Sequence, residues 1–380
     1  MEFDLPVSRV QSVDLVRGLV IVLMAIDHVR VYSGQPAGGP ELGIFFTRWV
    51  THFCAPVFVF LSGTSAYLYG IKLNNPPKLA RYLFTRGLLL VVLELTLIRF
   101  FWTFNFNYGE FTLAGVIWML GWCMMLLALM VRVSSKWIGI VGVLIILFQN
   151  LFGLVPQLLS ATSRTGFGRF WEFVYPSGLE GPPGITILYV LVPWIGVMMA
   201  GYGFGALLQF EPVKRRKILM QLGLGMTLTF VIGGTVNILI GEPKLPFLLA
   251  LLNQNKYPAS QLFLLMTLGP AILLMAFIEK SKGALVESMI IFGRVPFFYY
   301  MLHIPVIHIT ALIVQIFWNG TMHPEWYATA PYTWQPEENR WSLWLLYLVF
   351  VIDVLILYAA CRWYQAYKFN HPEKTWLKFL

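Results

Sequence analysis

Two residues of complementary chemistry lie on one face of the first apolar run, Val13 to Tyr32: Arg17 and His28. Eleven steps of an α-helix bring the azimuth almost back to its start, so the two side chains share a stripe and stand roughly 16 Å apart along the axis. The run is long enough to cross a bilayer, yet it carries Asp14, Arg17, Asp27, His28 and Arg30. Ionisable groups inside a span are costly, which makes each of them a functional-site hypothesis. A guanidinium binds anions. An imidazole with a carboxylate beside it, here Asp27, can be poised as a general base near neutral pH. Together they suit a long ligand with an anionic head and a reactive tip. The competing readings are plainer: Arg17 as a snorkelling anchor paired with Asp14 at i,i+3, and His28 as a neutral imidazole tied to a neighbouring helix.

Further candidates come from two other stretches. His52 precedes the run Phe53–Tyr67 (FCAPVFVFLSGTSAY), with Arg48 and Thr51 making its surroundings polar. Within that run Ser62, Gly63, Thr64 and Ser65 read as small residues that let helices approach closely. The stretch Phe292–His308 (FGRVPFFYYMLHIPVIH) holds two more histidines, His303 and His308, five residues apart and therefore about 140° around a helix. They cannot both face one site closely, and His303, four residues after Tyr299, is the candidate. A zinc sphere drawn from His28, His52, His303 and Asp27 lacks the tight i,i+4 histidine pair of a helical zinc motif, so no metal is expected. Gly178, Gly181 and Gly184 lack the strand–helix context of a phosphate loop.

The elements that must position these residues are membrane helices. The chain has 380 residues, 58% hydrophobic and only 12% charged, about half the charge of a soluble domain. At about 20 apolar residues per span, the pattern predicts about ten transmembrane helices, near 13–33, 49–71, 83–102, 112–132, 136–154, 186–209, 216–240, 260–279, 286–318 and 342–366: an all-α polytopic membrane protein. The ninth contains Pro296 and Pro305 and is expected to break near Gly293–Pro296. Lys and Arg in short loops set orientation. One side gathers Arg9, Arg17, Lys72, Lys78, Arg81, Arg86, Arg132, Lys136, Lys214–Lys217, Lys280, Lys282, Arg362, Lys368, Lys374 and Lys378, 18 of the 27 basic residues. Both termini are therefore expected in the cytoplasm, with Arg17 at the inner end of the first helix and His28 in its outer half. The opposite side, with Arg294 unassigned, holds Arg30, Arg48, Arg99, Arg164, Arg169, Lys244, Lys256 and Arg340. Glu94 and Asp353 are the other acids at membrane depth. No linker or repeat splits the chain, so residues 1–380 read as a single domain. The net charge of +9 sits in short inter-span loops and points to no nucleic acid. Cys54, Cys123 and Cys361 fall inside apolar runs and indicate no disulfide framework.

These residues also carry a resemblance. SVDLVRGLVIVLMAIDHVR with RWVTHFCAPVFVFLSGTSAYL resembles the bacterial branch of the heparan-α-glucosaminide N-acetyltransferase catalytic-domain family. LVPWIGVMMAGYGFG (191–205), KYPASQLFLLMTLGP (256–270) and GRVPFFYYMLHIPVIH (293–308) are similar to it too, so the likeness spans nearly the whole chain. The Arg17–His28 spacing and YMLHIP (300–305) are also similar to a wider superfamily of transmembrane acyltransferases. That resemblance implies acyl transfer from cytoplasmic acyl-CoA to an acceptor outside, with the donor associated with Arg17 and catalysis with His28. The animal lysosomal members have asparagine where His28 stands and a catalytic histidine in the following loop. Here residues 34–48 contain no histidine, and His52 is the next.

The expected function is that of an integral-membrane acyltransferase. It would move an acyl group, acetyl in the first place, from acetyl-CoA or another acyl-CoA to a glycan or small-molecule hydroxyl or amine across what the resemblance implies is a bacterial cytoplasmic (inner) membrane. His28, Asp27, His52 and His303 are the candidates for catalysis and Arg17 for the donor. Tyr299, Lys256 and Arg48 are candidates for holding the acceptor or the developing oxyanion. The alternative is a proton-coupled transporter or exporter using the same buried histidines as a relay, although proton relays need no anion clamp at the inner end. The sequence is compatible with an oligomer.

Overall fold

The computed structural model describes residues 10–39, 41–159, 161–176, 183–241 and 245–378. Arg9, Gly178, Gly181 and Lys244 lie outside the described residues, as do the side chains of Arg164 and Lys378. The elements begin with α1 (Gln11–Tyr32), α2 (Leu42–Trp49), a 3-10 turn (Val50–Phe53), α3 (Cys54–Leu73), α4 (Pro76–Leu93) and α5 (Arg99–Thr103). Then come β1 (Thr112–Ala114), α6 (Val116–Met130), α7 (Ser135–Leu147), α8 (Ala161–Trp171), β2 (Ile185–Ile187) and α9 (Trp194–Gly205). The remainder is α10 (Pro212–Ile240), α11 (Phe247–Leu252), α12 (Gln261–Ile278), α13 (Ala284–Arg294), α14 (Pro296–Asn319) and α15 (Leu343–Asn370).

Helices lie over all ten predicted stretches, and local chemistry explains where they depart from plain spans. Asn75 caps α4 by accepting from the Lys78 N–H, with proline at its first position, so this helix starts earlier than expected. It then passes through a π-helical turn, Glu94–Ile98, before α5. The stretch 186–209 is helical only from Trp194, because Ile185–Ile187 pair in parallel with Thr112–Ala114. The ninth stretch breaks where expected: α13 ends at Arg294, Val295 leaves helical geometry with φ −127° and ψ 48°, and Pro296 opens α14. Pro305 is accommodated inside α14. Five helical segments among the described residues are long and apolar enough to cross a bilayer: Leu42–Leu73, Pro212–Ile240, Gln261–Ile278, Pro296–Asn319 and Leu343–Asn370. Ser135–Leu147 with Gln149–Leu158 forms a pair bent by 67°. The 22-residue α1 stands outside this set, carrying Asp14, Arg17, Asp27 and Arg30.

The chain divides into two compact units. In the first (Met1–Val10, Ala55–Leu95 and Tyr108–Glu279), α4 packs on α6, α7 on α9 and α10 on α12. Small residues set these contacts. A Cβ on Gly63 would stand 1.9 Å from the Met198 carbonyl oxygen, and one on Gly201 2.0 Å from that of Phe60. Thr64 donates to the Gly201 carbonyl at 3.0 Å across the same α3–α9 contact. The second unit (Gln11–Cys54, Thr96–Asn107 and Lys280–Leu380) is built on α1, which packs on α13, α14 and α15. Here the backbones of α1 and α13 touch. A Cβ on Gly18 would lie 1.7 Å from the Met289 oxygen, and one on Gly293 1.8 Å from the Asp14 oxygen.

One methyl group at either position must push backbone from backbone. Gly18→Ala should therefore destabilise the folded protein by about 1–3 kcal/mol, the usual cost of overpacking. The control is Gly225→Ala on α10, where a Cβ meets nothing within 4 Å. Thermal unfolding in detergent should show a clear drop for the first and none for the second; equal midpoints would refute the tight α1–α13 contact.

Candidate active site

The site is assembled in the second unit, around the C-terminal half of α1. His28 sits three turns beyond Arg17 on α1, and its Nδ1 lies 2.6 Å from Nε2 of His303 on α14. The two rings meet edge to edge and near-coplanar, with centroids 4.8 Å apart and planes at 22°. His303 is fully buried, whereas His28 is partly exposed. Nδ1 of His303 faces two backbone carbonyls of its own helix, Tyr300 at 2.6 Å and Tyr299 at 3.2 Å.

That geometry assigns the protons. A carbonyl oxygen only accepts, so Nδ1 of His303 carries hydrogen. In a neutral imidazole Nε2 is then the acceptor, which requires Nδ1 of His28 to be the donor. The lone pair of His28 is consequently on Nε2. A local feature of α14, a histidine turned back on its own preceding turn, thus fixes the tautomer of a histidine on α1.

Aromatic rings frame the pair. Trp102 of α5 meets His28 at 69°, with ring centroids 4.8 Å apart. Tyr32, one turn after His28, stacks on Trp102 at 5.9 Å and donates its hydroxyl to the Trp102 carbonyl at 2.6 Å. Tyr327 in turn donates to the Tyr32 carbonyl at 3.0 Å and accepts from Gln315 at 2.9 Å. Burial pushes the Tyr327 hydroxyl above its ordinary range, so it remains protonated and a donor. Tyr299 lies nearly parallel to His303, at 19° with ring centroids 5.4 Å apart, and its buried hydroxyl has no hydrogen-bond partner among the described residues. Sequence reasoning did not single out Trp102, Tyr32 or Tyr327. Tyr32 was within reach of it, since i+4 from His28 is the same helix face.

The remaining candidates are placed as follows. Asp27 accepts from Arg30 Nε at 2.9 Å on one oxygen and from Arg48 Nη1 at 2.6 Å on the other. Arg48 also donates to Thr51 at 3.2 Å. These three charged side chains sum to one positive charge. His52 lies in the 3-10 turn that follows Arg48 and is partly exposed. Arg17 makes both the i,i+3 contact with Asp14, at 3.5 Å, and a bond to the Gly293 carbonyl at 3.3 Å, where α13 is about to end. His308 bonds the Phe101 carbonyl at 3.1 Å, stacks on Phe104 and packs against Tyr32, with ring centroids 4.8 Å apart. Lys256 belongs to the first unit, where it is buried with its ammonium 5.2 Å from the Tyr257 ring centroid and 5.9 Å from that of Tyr189.

The tautomer assignment is directly measurable. With ¹⁵N-labelled histidine, both His28 and His303 should show a protonated Nδ1 and an unprotonated Nε2 at neutral pH, with His303→Asn removing the preference at His28. A protonated Nε2 on His303 would overturn the assignment.

Comparison with known families places the chain. The sequence pattern of the family described as heparan-alpha-glucosaminide N-acetyltransferase, catalytic, matches residues 9–240. That is well over half of the chain, and it takes in Arg17, Asp27, His28, Arg48 and His52. Comparison with curated proteins finds no match. With its apolar helices and this extent of agreement, the chain belongs to the heparan-alpha-glucosaminide N-acetyltransferase catalytic family, a family of membrane acetyltransferases.

Proposed function

We propose that this protein transfers an acyl group, acetyl in the first place, from cytoplasmic acyl-CoA to a hydroxyl or amine of a sugar or small-molecule acceptor on the other side of the membrane, with His28 as general base. The observation that carries the reading is the His28–His303 bond, which leaves the lone pair on Nε2 of a partly exposed imidazole. In the proposed reaction Nε2 takes the proton of the acceptor as its oxygen or nitrogen attacks the thioester carbonyl. The new C–O or C–N bond forms, and the carbonyl electrons move onto oxygen. Collapse of that intermediate breaks the C–S bond, and the departing thiolate takes the proton from His28 to leave as CoA thiol. While His28 is cationic, its Nδ1–H bond to His303 strengthens, the service an aspartate renders in a serine-protease triad. The net positive charge of Asp27, Arg30 and Arg48 supports the oxyanion. Arg17, at the proposed inner end of α1, would meet the anionic part of the donor.

His28→Ala should lower transfer at least a hundredfold, the usual contribution of a general base, with acyl-CoA binding intact; a variant keeping more than about a tenth of the rate would remove His28 from that role. Arg17→Ala should instead raise the apparent dissociation constant for acyl-CoA, with Arg17→Lys recovering only part of it because lysine lacks the planar fork.

Orientation provides a further test. Acyl-CoA is too anionic to cross hydrocarbon freely. In sealed vesicles of known orientation, labelled donor should be used only from the face bearing Lys280 and Lys282. The acylated acceptor should appear only on the face bearing residues 320–341. Donor and product on one face would refute the through-membrane reading.

A further inference from the structure

The last helix is longer than the hydrocarbon it would cross. In α15, one of the segments apolar enough to span a bilayer, the apolar stretch 343–361 covers roughly 28 Å at 1.5 Å per residue. That is close to the thickness of a bilayer core. Its one charged residue, Asp353, is buried and accepts from Thr310 of α14 at 2.8 Å. The helix then continues to Asn370 with a different composition, including Arg362, Trp363, Tyr367 and Lys368. By this length the residues after 361 stand at the depth of the phospholipid headgroups. Exposed aromatic side chains suit that depth, and Trp363, Phe369 and Trp376 are all exposed.

At this end of α15 the side chains form a built cluster. Trp363, Tyr367 and His371 follow one another at four-residue spacing, which keeps them on one face. The Tyr367 ring lies 5.7 Å from that of Trp363, with planes at 22°, and 4.2 Å from that of His371. His371 is held in place by its Nδ1, which donates to the Tyr367 carbonyl at 2.8 Å. Beyond the helix the chain turns back and brings Lys374 onto the same tyrosine. Its ammonium lies 2.5 Å from the Tyr367 hydroxyl oxygen and 4.8 Å from the ring centroid. The turn is fixed by the fold: Lys374 N–H bonds the His371 carbonyl at 3.2 Å, and Leu377 behind it is buried.

The donors are left pointing outward in the chemical sense. An ammonium can only donate, so the Tyr367 oxygen is the acceptor and its own O–H remains available. Lys374 keeps further N–H groups, and no carboxylate pairs with it among the described residues. Residues 362–374 carry Arg362, Lys368 and Lys374 against Glu373. We propose that this end of α15 binds an acidic phospholipid, with Lys374 and Tyr367 donating to the phosphate and Trp363 covering the start of the acyl chains. A zwitterionic headgroup brings its own cation to a basic surface and is disfavoured.

The test uses the purified full chain in detergent, titrated with short-chain phosphatidylglycerol and phosphatidylcholine, with bound lipid followed by native mass spectrometry. Phosphatidylglycerol should bind more tightly. Lys374→Met should weaken it about fivefold, the worth of one basic residue at an anionic membrane surface. Tyr367→Phe, which removes only a hydroxyl, should weaken it about two- to tenfold. Neither should change phosphatidylcholine. Lys217→Met removes the same charge from the first unit and should leave both affinities as they are. Equal affinity for the two lipids, or phosphatidylglycerol binding that survives both substitutions at the end of α15, overturns the proposal. So does an equal loss in Lys217→Met, which would make the preference one of overall charge. Free CoA is the last arm: if it displaces phosphatidylglycerol from the wild type but not from Lys374→Met, the phosphate site serves a soluble nucleotide and the lipid assignment is wrong.

Discussion

Charged and titratable groups on a helix in an apolar protein must find their partners inside the fold, and α1 carries more of them than any neighbouring span can ignore. Arg17 is met by the end of α13, Asp27 by Arg48 of α2, and His28 by His303 of α14. Each partner arrives on a different element, so satisfying α1 fixes three neighbours at once. The backbone contact at Gly18 and Gly293 is part of the same solution. It brings the Gly293 carbonyl to the Arg17 guanidinium, and only residues without a Cβ permit that approach. The break at Val295 follows in the same place and lets α14 set out on the path that carries His303 to His28.

A neutral imidazole orienting another imidazole differs from a carboxylate doing so. A buried aspartate would hold a cation on His28 strongly and would itself require a desolvated negative charge. His303, buried and anchored on the Tyr300 carbonyl, orients His28 without adding charge to the apolar interior. The carboxylate adjacent in sequence, Asp27, is engaged by two arginines. Charge and imidazole are thus held by separate partners that meet on one helix: the ion cluster gives a fixed positive field, and the histidine pair gives a lone pair of defined direction.

What the sequence disclosed follows from what periodicity can report. Hydropathy located the helical stretches, and proline chemistry located the break before Pro296. Helical azimuth separated His303 from His308 and put Arg17 and His28 on one stripe. Azimuth says which way a side chain leaves its own helix but not which helix it meets. The Arg48–Asp27 bond and the contact of Trp102 with His28 therefore emerged only from the assembled fold. Lys256 illustrates the same limit, because a motif similar to the family's gave no sign that it lies in the first compact unit among tyrosine rings. The pairing of Ile185–Ile187 with Thr112–Ala114 was likewise hidden, since three residues are too few for an alternation to register.

The proposed roles of the two ends of α1 fit together through charge. In the orientation read from the basic loops, a polyanionic donor approaches a face rich in lysine and arginine, where Arg17 lies. The other end opens on segments 33–41 and 320–342, with four carboxylates and one guanidinium. Fields of opposite sign at the two ends would favour CoA phosphates at one and repel them at the other, so the same asymmetry that orients the helices would also sort the two substrates. Neither field need be strong to do this. Arg17 and His28 alone stand roughly 16 Å apart along the helix, already longer than the screening length at physiological salt, so in the proposed reaction each end would act on its own ligand independently and His28 would be where the two meet.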